Sequence, residues 1–301
     1  MTNHKELQTI RDFIRFATSR FNEAGIYYGH GTDNAWDEAV ALTLHTLHLR
    51  HDINPAILAA NLIQEERVKL LDLINQRVTQ RTPVPYLTHE AWFANLPFYV
   101  DERVLIPRSP MAELIENNFQ PWIENVNDIL DLCTGSACIA IASAKAFPEA
   151  RIDASDISPE ALQVAKINVL RHAVEDQIHL YESDLFTAIP QKKYDIIISN
   201  PPYVSVEEMQ TLPIEYSHEP KMGLEAGKQG LDVVMHILKN AGYFLKPQGI
   251  LVVEVGNSEI ALIENFPDVP FTWLEFECGG DGVFLLTAEQ IKTYEKRFIE
   301  F

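Results

Sequence analysis

An α/β fold, a mostly parallel sheet preceded by a small all-α segment, is predicted from three features of the chain. Residues 127–144 read as a short apolar strand, a Gly/Ser turn and a helix of small residues; Tyr194 to Ser199 form a largely apolar run that stops at Asn200-Pro201-Pro202-Tyr203; and the first eighty residues place apolar side chains at helical spacing. The run before Asn200 suits a strand buried on both faces, as happens when helices cover both sides of a parallel sheet.

The elements follow in chain order. Leu7, Ile10, Ile14, Ala17 and Phe21 recur at the spacing of one helix face, and Asn54-Pro55 opens a second helix whose stripe is Leu70, Ile74 and Val78. Pro83-Val84-Pro85 is expected to end the helical part. Ala91-Trp92-Phe93 and Phe98-Tyr99-Val100 flank Asn95-Leu96-Pro97 as a hairpin. Residues 1–84 are thus assigned to a helical domain whose task is substrate selection, 85–110 to a hairpin linker, and 111–301 to the catalytic α/β domain. In that domain the helix after Gly135 breaks near Phe147-Pro148, and residues 150–154 make a second strand ending at Ser155-Asp156. That acid lies about twenty residues beyond the glycine, where dinucleotide-binding folds place a carboxylate on the ribose hydroxyls. Ser158-Pro159-Glu160 reads as a helix cap with proline at the first helical position. A third strand, residues 178–181, ends at Ser183-Asp184-Leu185-Phe186, a carboxylate and apolar walls suited to an adenine. Residues 250–255, 271–276 and 283–286 close the sheet, the last two as an antiparallel hairpin.

Gly135 is the only glycine of its turn and GxGxxG is absent, so the turn alone is as readily structural as functional. The order of features decides: glycine turn, strand-end Asp156, strand-end Asp184, then Asn200-Pro201-Pro202-Tyr203, all expected at one edge of one sheet. Prolines cannot continue a strand ladder, so the chain turns out at Asn200 and the loop is stiff. The Asn200 side-chain oxygen and the Pro201 carbonyl are two adjacent acceptors able to grip both N–H bonds of an NH2 group, and a Tyr203 ring can lie against a planar amide or arylamine. Such a site orients a poor nitrogen nucleophile toward an electrophile.

These residues resemble the S-adenosylmethionine-dependent methyltransferases with an Asn-Pro-Pro-Tyr motif, which methylate exocyclic or side-chain amide nitrogens, and the resemblance covers almost the whole chain. Arg103-Val-Leu-Ile-Pro107-Arg108-Ser109-Pro110 and the helical amino-terminal segment look like the protein glutamine N5-methyltransferases, which modify release factors or a ribosomal protein. Residues 27–39, with Tyr28, His30, Asn34 and Trp36, and residues 271–284, with Trp273, Gly279 and Phe284, look like the branch acting on protein three of the large ribosomal subunit. The resemblance implies a Rossmann-like sheet, S-adenosylmethionine as cofactor and S-adenosylhomocysteine as product, with no metal. It implies that Asp131, Cys133, Thr134, Gly135, Ser136 and Ala137 hold the methionine part, Asp156 with Ile157 the ribose, and Asp184 with Leu185 the adenine, with Asn200 at the reacting end. Asn200, Pro201, Pro202 and Tyr203 would hold the glutamine, with Arg108 and Glu219 beside it. One departure stands out: the family usually has glycine where Ala137 stands and often where Cys133 stands. Alanine is tolerable there only with a negative φ, because a Cβ in the left-handed region costs about 1–2 kcal/mol, and weaker cofactor binding is the most the departure is expected to cause.

Composition bounds the reading independently. The chain has 301 residues and 47% hydrophobic content, enough for one large domain and a smaller one. Its start carries no apolar signal segment and no stretch approaches the length of a membrane span, so a cytoplasmic protein without a membrane partner is expected. Three cysteines, Cys133, Cys138 and Cys278, cannot pair completely and are read as reduced core thiols. The net charge is −19, and it is uneven: residues 1–100 hold 9 Lys+Arg and 11 Asp+Glu, leaving 15 and 32 for the rest. An acidic catalytic part is a poor candidate for gripping DNA or RNA, which argues against the adenine and guanine amino-methyltransferases that share the motif. It suits a basic protein met before or during ribosome assembly, since an assembled ribosome presents phosphate. The sister enzymes for release factors stay open as a reading, and so does an assembly factor that binds without methylating, against which the intact Asn200–Tyr203 motif argues. His45, His48 and His51 lack the acidic or cysteine pattern of a metal site and are read as helix-end residues. His218-Glu219-Pro220 with Gly223-Leu224 is read as a lid or solvated turn, and Arg108 as a substrate contact or a salt bridge to a neighbouring acid.

Overall fold

The computed structural model describes residues 6–277 and 279–300, which leaves Cys278 and the two ends of the chain outside the described residues. The chain divides into two compact units, Met1–Ala91 with Pro213–His218, and Trp92–Leu212 with Glu219–Phe301.

The first unit is helical. α1 (Ile10–Glu23) begins at a reciprocal cap in which the Asp12 amide donates to Thr9 Oγ1 (3.2 Å) and the Thr9 amide to Asp12 Oδ2 (2.8 Å), and it buries Ile10, Ile14, Ala17 and Phe21 as its spacing predicts, with Phe13 buried beside them. α2 (Ala35–Thr46) starts at an Asn34 cap. Asn54-Pro55 does not open the predicted long helix: it starts only a 3-10 turn, Pro55–Ala59, and α3 begins afresh at Gln64 and runs to Thr79. The break has a cause, because residues 60–62 turn their backbone to the start of α1, with Ile10 N–H donating to Ala60 O and Leu62 N–H to Gln8 O. Leu70 and Ile74 are buried on α3, and Val78 packs half-buried against the same core. Pro83-Val84-Pro85 opens a further short helix, α4 (Val84–Thr88), where the sequence suggested an end; proline is suited to a first helical turn. Arg77, fully buried, joins Glu38 (2.5 Å) and Glu215 (3.5 Å), so residues 213–218 belong to this unit although they follow the Asn-Pro-Pro-Tyr motif in the chain.

A hairpin follows, β1 (Ala91–Phe93) and β2 (Leu96–Phe98), but its second strand starts at Leu96 and ends at Phe98 rather than spanning 98–100: Leu96 and Pro97, expected in the turn, are in the strand, because Ala94 and Asn95, both at positive φ, make the two-residue turn that such geometry favours. The second unit continues through α5 (Met111–Glu116), β3 (Asp128–Leu132), α6 (Cys138–Ala146), β4 (Arg151–Asp156), α7 (Pro159–Arg171), β5 (Ile178–Glu182), β6 (Tyr194–Ser199), α8 (Val206–Met209), α9 (Asp232–Phe244), β7 (Leu245–Glu254), α10 (Glu259–Asn265), β8 (Thr272–Trp273), β9 (Val283–Thr287) and α11 (Ala288–Glu300). The sheet order is β5-β4-β3-β6-β7-β9-β8; the first five strands are parallel, and β9 pairs antiparallel with both neighbours. The mostly parallel α/β fold with its antiparallel carboxyl-terminal hairpin is therefore present. Alternate residues serve two cores, Ile196, Ile198 and Val252 on one face, Ile197, Leu251 and Val253 on the other, which is why β6 shows no polar alternation. β7 starts five residues before the predicted 250, across a register shift between Tyr194 and Ile196. β8 is only two residues long: after Leu274 N–H donates to Val283 O, the chain leaves the sheet edge for a loop with Gly279, Gly280 and Gly282 at positive φ. Strand order reverses between β3 and β6, so the carboxyl ends of these strands flank the switch point where open α/β sheets hold ligands.

Candidate active site

The strand registers set Leu132 beside Ser155 and Ser199, and Asp156 beside Glu182, so the turns after β3, β4, β5 and β6 share one edge. This sets the turn after β3, Asp156 with Ile157, Asp184 with Leu185, and Asn200 along one edge of the sheet, the placement the sequence anticipated.

The turn after β3 is held in a left-handed shape at three places: Cys133 (φ +59°), Gly135 (φ +53°) and Ala137 (φ +64°). Ala137 thus contradicts the expected negative φ, and its Cβ carries the strain that glycine would avoid. Hydrogen bonds impose the shape. Thr134 N–H donates to Ser155 O (2.9 Å), Gly135 N–H to Asp156 Oδ2 (2.9 Å), and Ala137 N–H to Thr134 O (2.8 Å). Asp131 Oδ2 accepts from Thr134 Oγ1 (2.6 Å) and from Ala140 N–H at the start of α6 (3.1 Å). Asp131 Oδ1 is buried and has no hydrogen-bond partner among the described residues. Burial pushes the Asp131 carboxyl up to about 7, against the Thr134 and Ala140 bonds that lower it, and raises Asp156 against its bonds from Ser158 and Gly135. Burial likewise raises the thiols of Cys133 and Cys138, the latter to about 12, so they stay protonated. Ser136 O accepts from Asn168 Nδ2 (2.9 Å) in α7, and the same amide pairs with Tyr99 N–H and O. Asn168 carries no sequence signal, since an asparagine in a helix usually faces water.

Further along the edge, Ile157 is 53% exposed and Asp184 faces solvent, while Leu185 sits half-buried at φ +48° with its carbonyl accepting from Ser183 Oγ (2.7 Å). Ser199 Oγ donates to Leu132 O (2.8 Å), tying the end of β6 to the end of β3 immediately before Asn200 and Cys133. Among the described residues the Asn200 side-chain amide has no hydrogen-bond partner, and Pro201 is buried. Tyr203 is held closely: its hydroxyl donates to Glu254 Oε1 (2.9 Å), and its carbonyl accepts from Ser258 Oγ (2.8 Å). A Cβ on Gly256 would stand 2.6 Å from the Tyr203 ring, and one on Gly282 2.4 Å from Gly256 O. Glu254, at the carboxyl end of β7, accepts on its second oxygen from Ser109 Oγ (2.5 Å). A lone acid at the end of the apolar run 250–255 was the available sign of Glu254.

Arg108 makes a bidentate pair with Glu219 (2.6 and 2.8 Å), whose Oε1 also accepts from Ile106 N–H (3.0 Å). Glu219 is therefore buried and engaged, not part of a solvated turn. Within the first unit, His45 lies 3.5 Å from Glu90, and His48 takes a left-handed backbone just past α2.

Residues 112–215 match the family model described as the methyltransferase small domain. The chain is 46% identical over 298 residues to the ribosomal protein uL3 glutamine methyltransferase of Francisella tularensis, covering 98% of this chain and 95% of that one. It is 51% identical over 291 residues to the protein of the same name from Neisseria meningitidis, covering 95% of each.

Proposed function

The chain belongs to the family of ribosomal protein uL3 glutamine methyltransferases, and from that premise we propose that it methylates the side-chain amide nitrogen of a glutamine in ribosomal protein uL3. The observation that carries the reading is the placement of Asn200, with its amide uncommitted, and Tyr203, fixed by Glu254, one strand from the buried, unpartnered Asp131 Oδ1. S-adenosylmethionine would supply a methyl group activated by a sulfonium cation. The donor set fits it: uncompensated carboxylates for a cation and amine, an open turn surface at Gly135, and strand-end acids for hydroxyls and a base amine. Residues 131–137 would hold its methionine part, Asp156 and Ile157 the ribose, Asp184 and Leu185 the adenine.

In this reading Asn200 Oδ1 and the Pro201 carbonyl accept the two amide protons of the glutamine and orient its nitrogen lone pair. Pro202 stiffens the loop, and the Tyr203 ring holds the amide plane. Positioning and charge complementarity do most of the work, and the methylated amide loses its proton after positive charge has developed. The mechanism requires no metal. Arg108 and Glu219, spent on each other, shape the substrate side through residues 106–109. The acidity of the second unit supports a free, basic ribosomal protein as substrate, before or during assembly in the cytoplasm. No helix of the described residues is long and apolar enough to cross a membrane.

The test incubates the protein with labelled S-adenosylmethionine and, separately, uL3, a release factor and RNA, then maps the label by mass spectrometry. Label on a uL3 glutamine, absent with Asn200→Ala, is expected. Label on the release factor would reassign the substrate, label on RNA would overturn the charge argument, and no label with cofactor bound would point to a binding factor.

A further inference from the structure

Glu254 is the one acid in Leu251-Val252-Val253-Glu254-Val255, and it is 5% exposed. Burying a carboxylate that hydrogen-bonds no cation, with only the Arg108 charge acting on it from farther off, costs several kcal/mol, and a hydrocarbon of similar size would pack the same place without that cost. Its two oxygens are divided: one accepts from the Tyr203 hydroxyl at 2.9 Å, the other from the Ser109 hydroxyl at 2.5 Å, while Ser109 Oγ in turn accepts from Met111 N–H at 3.2 Å. The rest of the Tyr203 surroundings have the same character. Gly256 leaves no room for a Cβ beside the ring, a Cβ on Gly230 would fall 2.0 Å from the Tyr203 carbonyl, and Ser258 Oγ holds that carbonyl and Gln229 O together. Val255 and Gly256 amides both donate to Gly282 O, which fixes the wall on which the ring rests.

We infer that Glu254 is a positioning residue for methyl transfer: it locks the Tyr203 ring against the Gly256 wall and spends the tyrosine hydroxyl, so that the ring face is what the acceptor amide meets. The inference rests on the reading of Tyr203 given under the proposed function. The hydroxyl proton is committed to Glu254 Oε1, so neither group takes a proton from the substrate; both act through geometry.

The experiment is a double-mutant cycle on the full chain with uL3 and labelled S-adenosylmethionine, using Glu254→Ala, Tyr203→Phe and the pair, with Glu254→Gln as the conservative variant. Expected are a fall in kcat of about 30-fold for Glu254→Ala and about 10-fold for Tyr203→Phe, and a double variant no slower than Glu254→Ala, with cofactor affinity and the KM for uL3 within about threefold of wild type. Glu254→Gln, whose amide oxygen can still accept from the tyrosine, is expected to restore most of kcat with an unshifted pH profile. Losses that multiply in the double variant, an unchanged kcat in folded Glu254→Ala, or a Glu254→Gln variant as slow as Glu254→Ala with a shifted pH profile would each overturn the inference. If Glu254→Ala does not fold, Tyr203→Phe decides alone, and wild-type kcat there overturns it. A wild-type protein that leaves uL3 glutamine unmodified would instead remove the functional reading beneath it.

Discussion

The two edges of the parallel sheet carry the same residue types in opposite electrostatic settings. At the amino-terminal edge, Asp128, Asp153 and Asp195 meet ammonium groups: Lys246 lies 2.9 Å from Asp128 and 2.8 Å from Asp195, and Lys192 lies 2.9 Å from Asp153. Burial alone would raise Asp128, yet Lys246 and Lys192 hold it below the ordinary carboxylate range. At the carboxyl-terminal edge, Asp131, Asp156 and Glu254 accept hydrogen bonds only from hydroxyls and backbone amides, and burial raises all three. One edge neutralises its charge to hold strands together. The other keeps uncompensated negative charge at the switch point, a cost in stability that a bound cation or a cluster of donors would offset.

The largest effect that would break this contrast is a dependence on pH. Asp131 has a folded-state pKa raised to about 7, so the folded protein holds this proton more tightly than the unfolded chain does. Its contribution to stability is present at low pH and is lost as pH rises from about 4 to about 7. Two units of that window correspond to about 3 kcal/mol, so ligand-free protein is expected to resist urea better at pH 5 than at pH 8 by up to that amount, and Asp131→Asn to shrink the difference. An equal slope in both proteins would remove Asp131 as its origin. Asp128 has the opposite sign: its lowered pKa gives stability above about 4 that is lost only in stronger acid.

A similar loss is expected from Gly282→Ala. It forces a Cβ at φ +67° against Gly256, and both strain and clash contribute, about 3 kcal/mol together. Thermal unfolding with and without cofactor measures it, and a normal Tm would show that the wall behind Tyr203 yields.

Smaller is Lys246→Met at the amino-terminal edge, expected to cost about 1–2 kcal/mol because the lysine is about one-third exposed, and to leave methylation unaltered. Reduced turnover by the folded variant would erase the distinction between the edges. Smallest is Ala137→Gly. Relief of left-handed strain is partly cancelled by a more flexible unfolded chain, leaving a gain of about 1 kcal/mol or less, a rise in Tm of about 2 °C. A lower Tm would mean the buried Ala137 methyl contributes more packing than it costs in strain.

The two edges also differ in how legible they were in the sequence. Gly135, Asp156, Asp184 and Asn200 stand at strand ends, and a strand end is signalled by its own neighbours: an apolar run, then a cap or prolines. Glu254 shares the strand-end sign, a lone acid closing an apolar run, but its partners Ser109 and Tyr203 lie 145 and 51 residues away, and Asn168, 69 residues from Tyr99, has no local sign at all. The same limit explains the misread helix after Asn54. Its proline and capping asparagine are correct local signs of a helix start, but the backbone of residues 60–62 is claimed by residues 8–10, which no periodicity reveals. Ala137 was misjudged for the converse reason, since the turn is tied to β4 by Thr134 N–H to Ser155 O and Gly135 N–H to Asp156 Oδ2 and to α7 by Asn168 Nδ2 to Ser136 O, and these three bonds overrule its backbone preference.

The most direct measurement is the initial rate of methyl transfer to purified uL3 at saturating S-adenosylmethionine for wild type, Asn200→Ala and Lys246→Met, with cofactor affinity measured alongside by calorimetry. The account predicts a fall of about 100-fold or more for Asn200→Ala with cofactor affinity kept, and a wild-type rate for Lys246→Met. A near-normal rate for Asn200→Ala, or equal losses in the two variants, would contradict it.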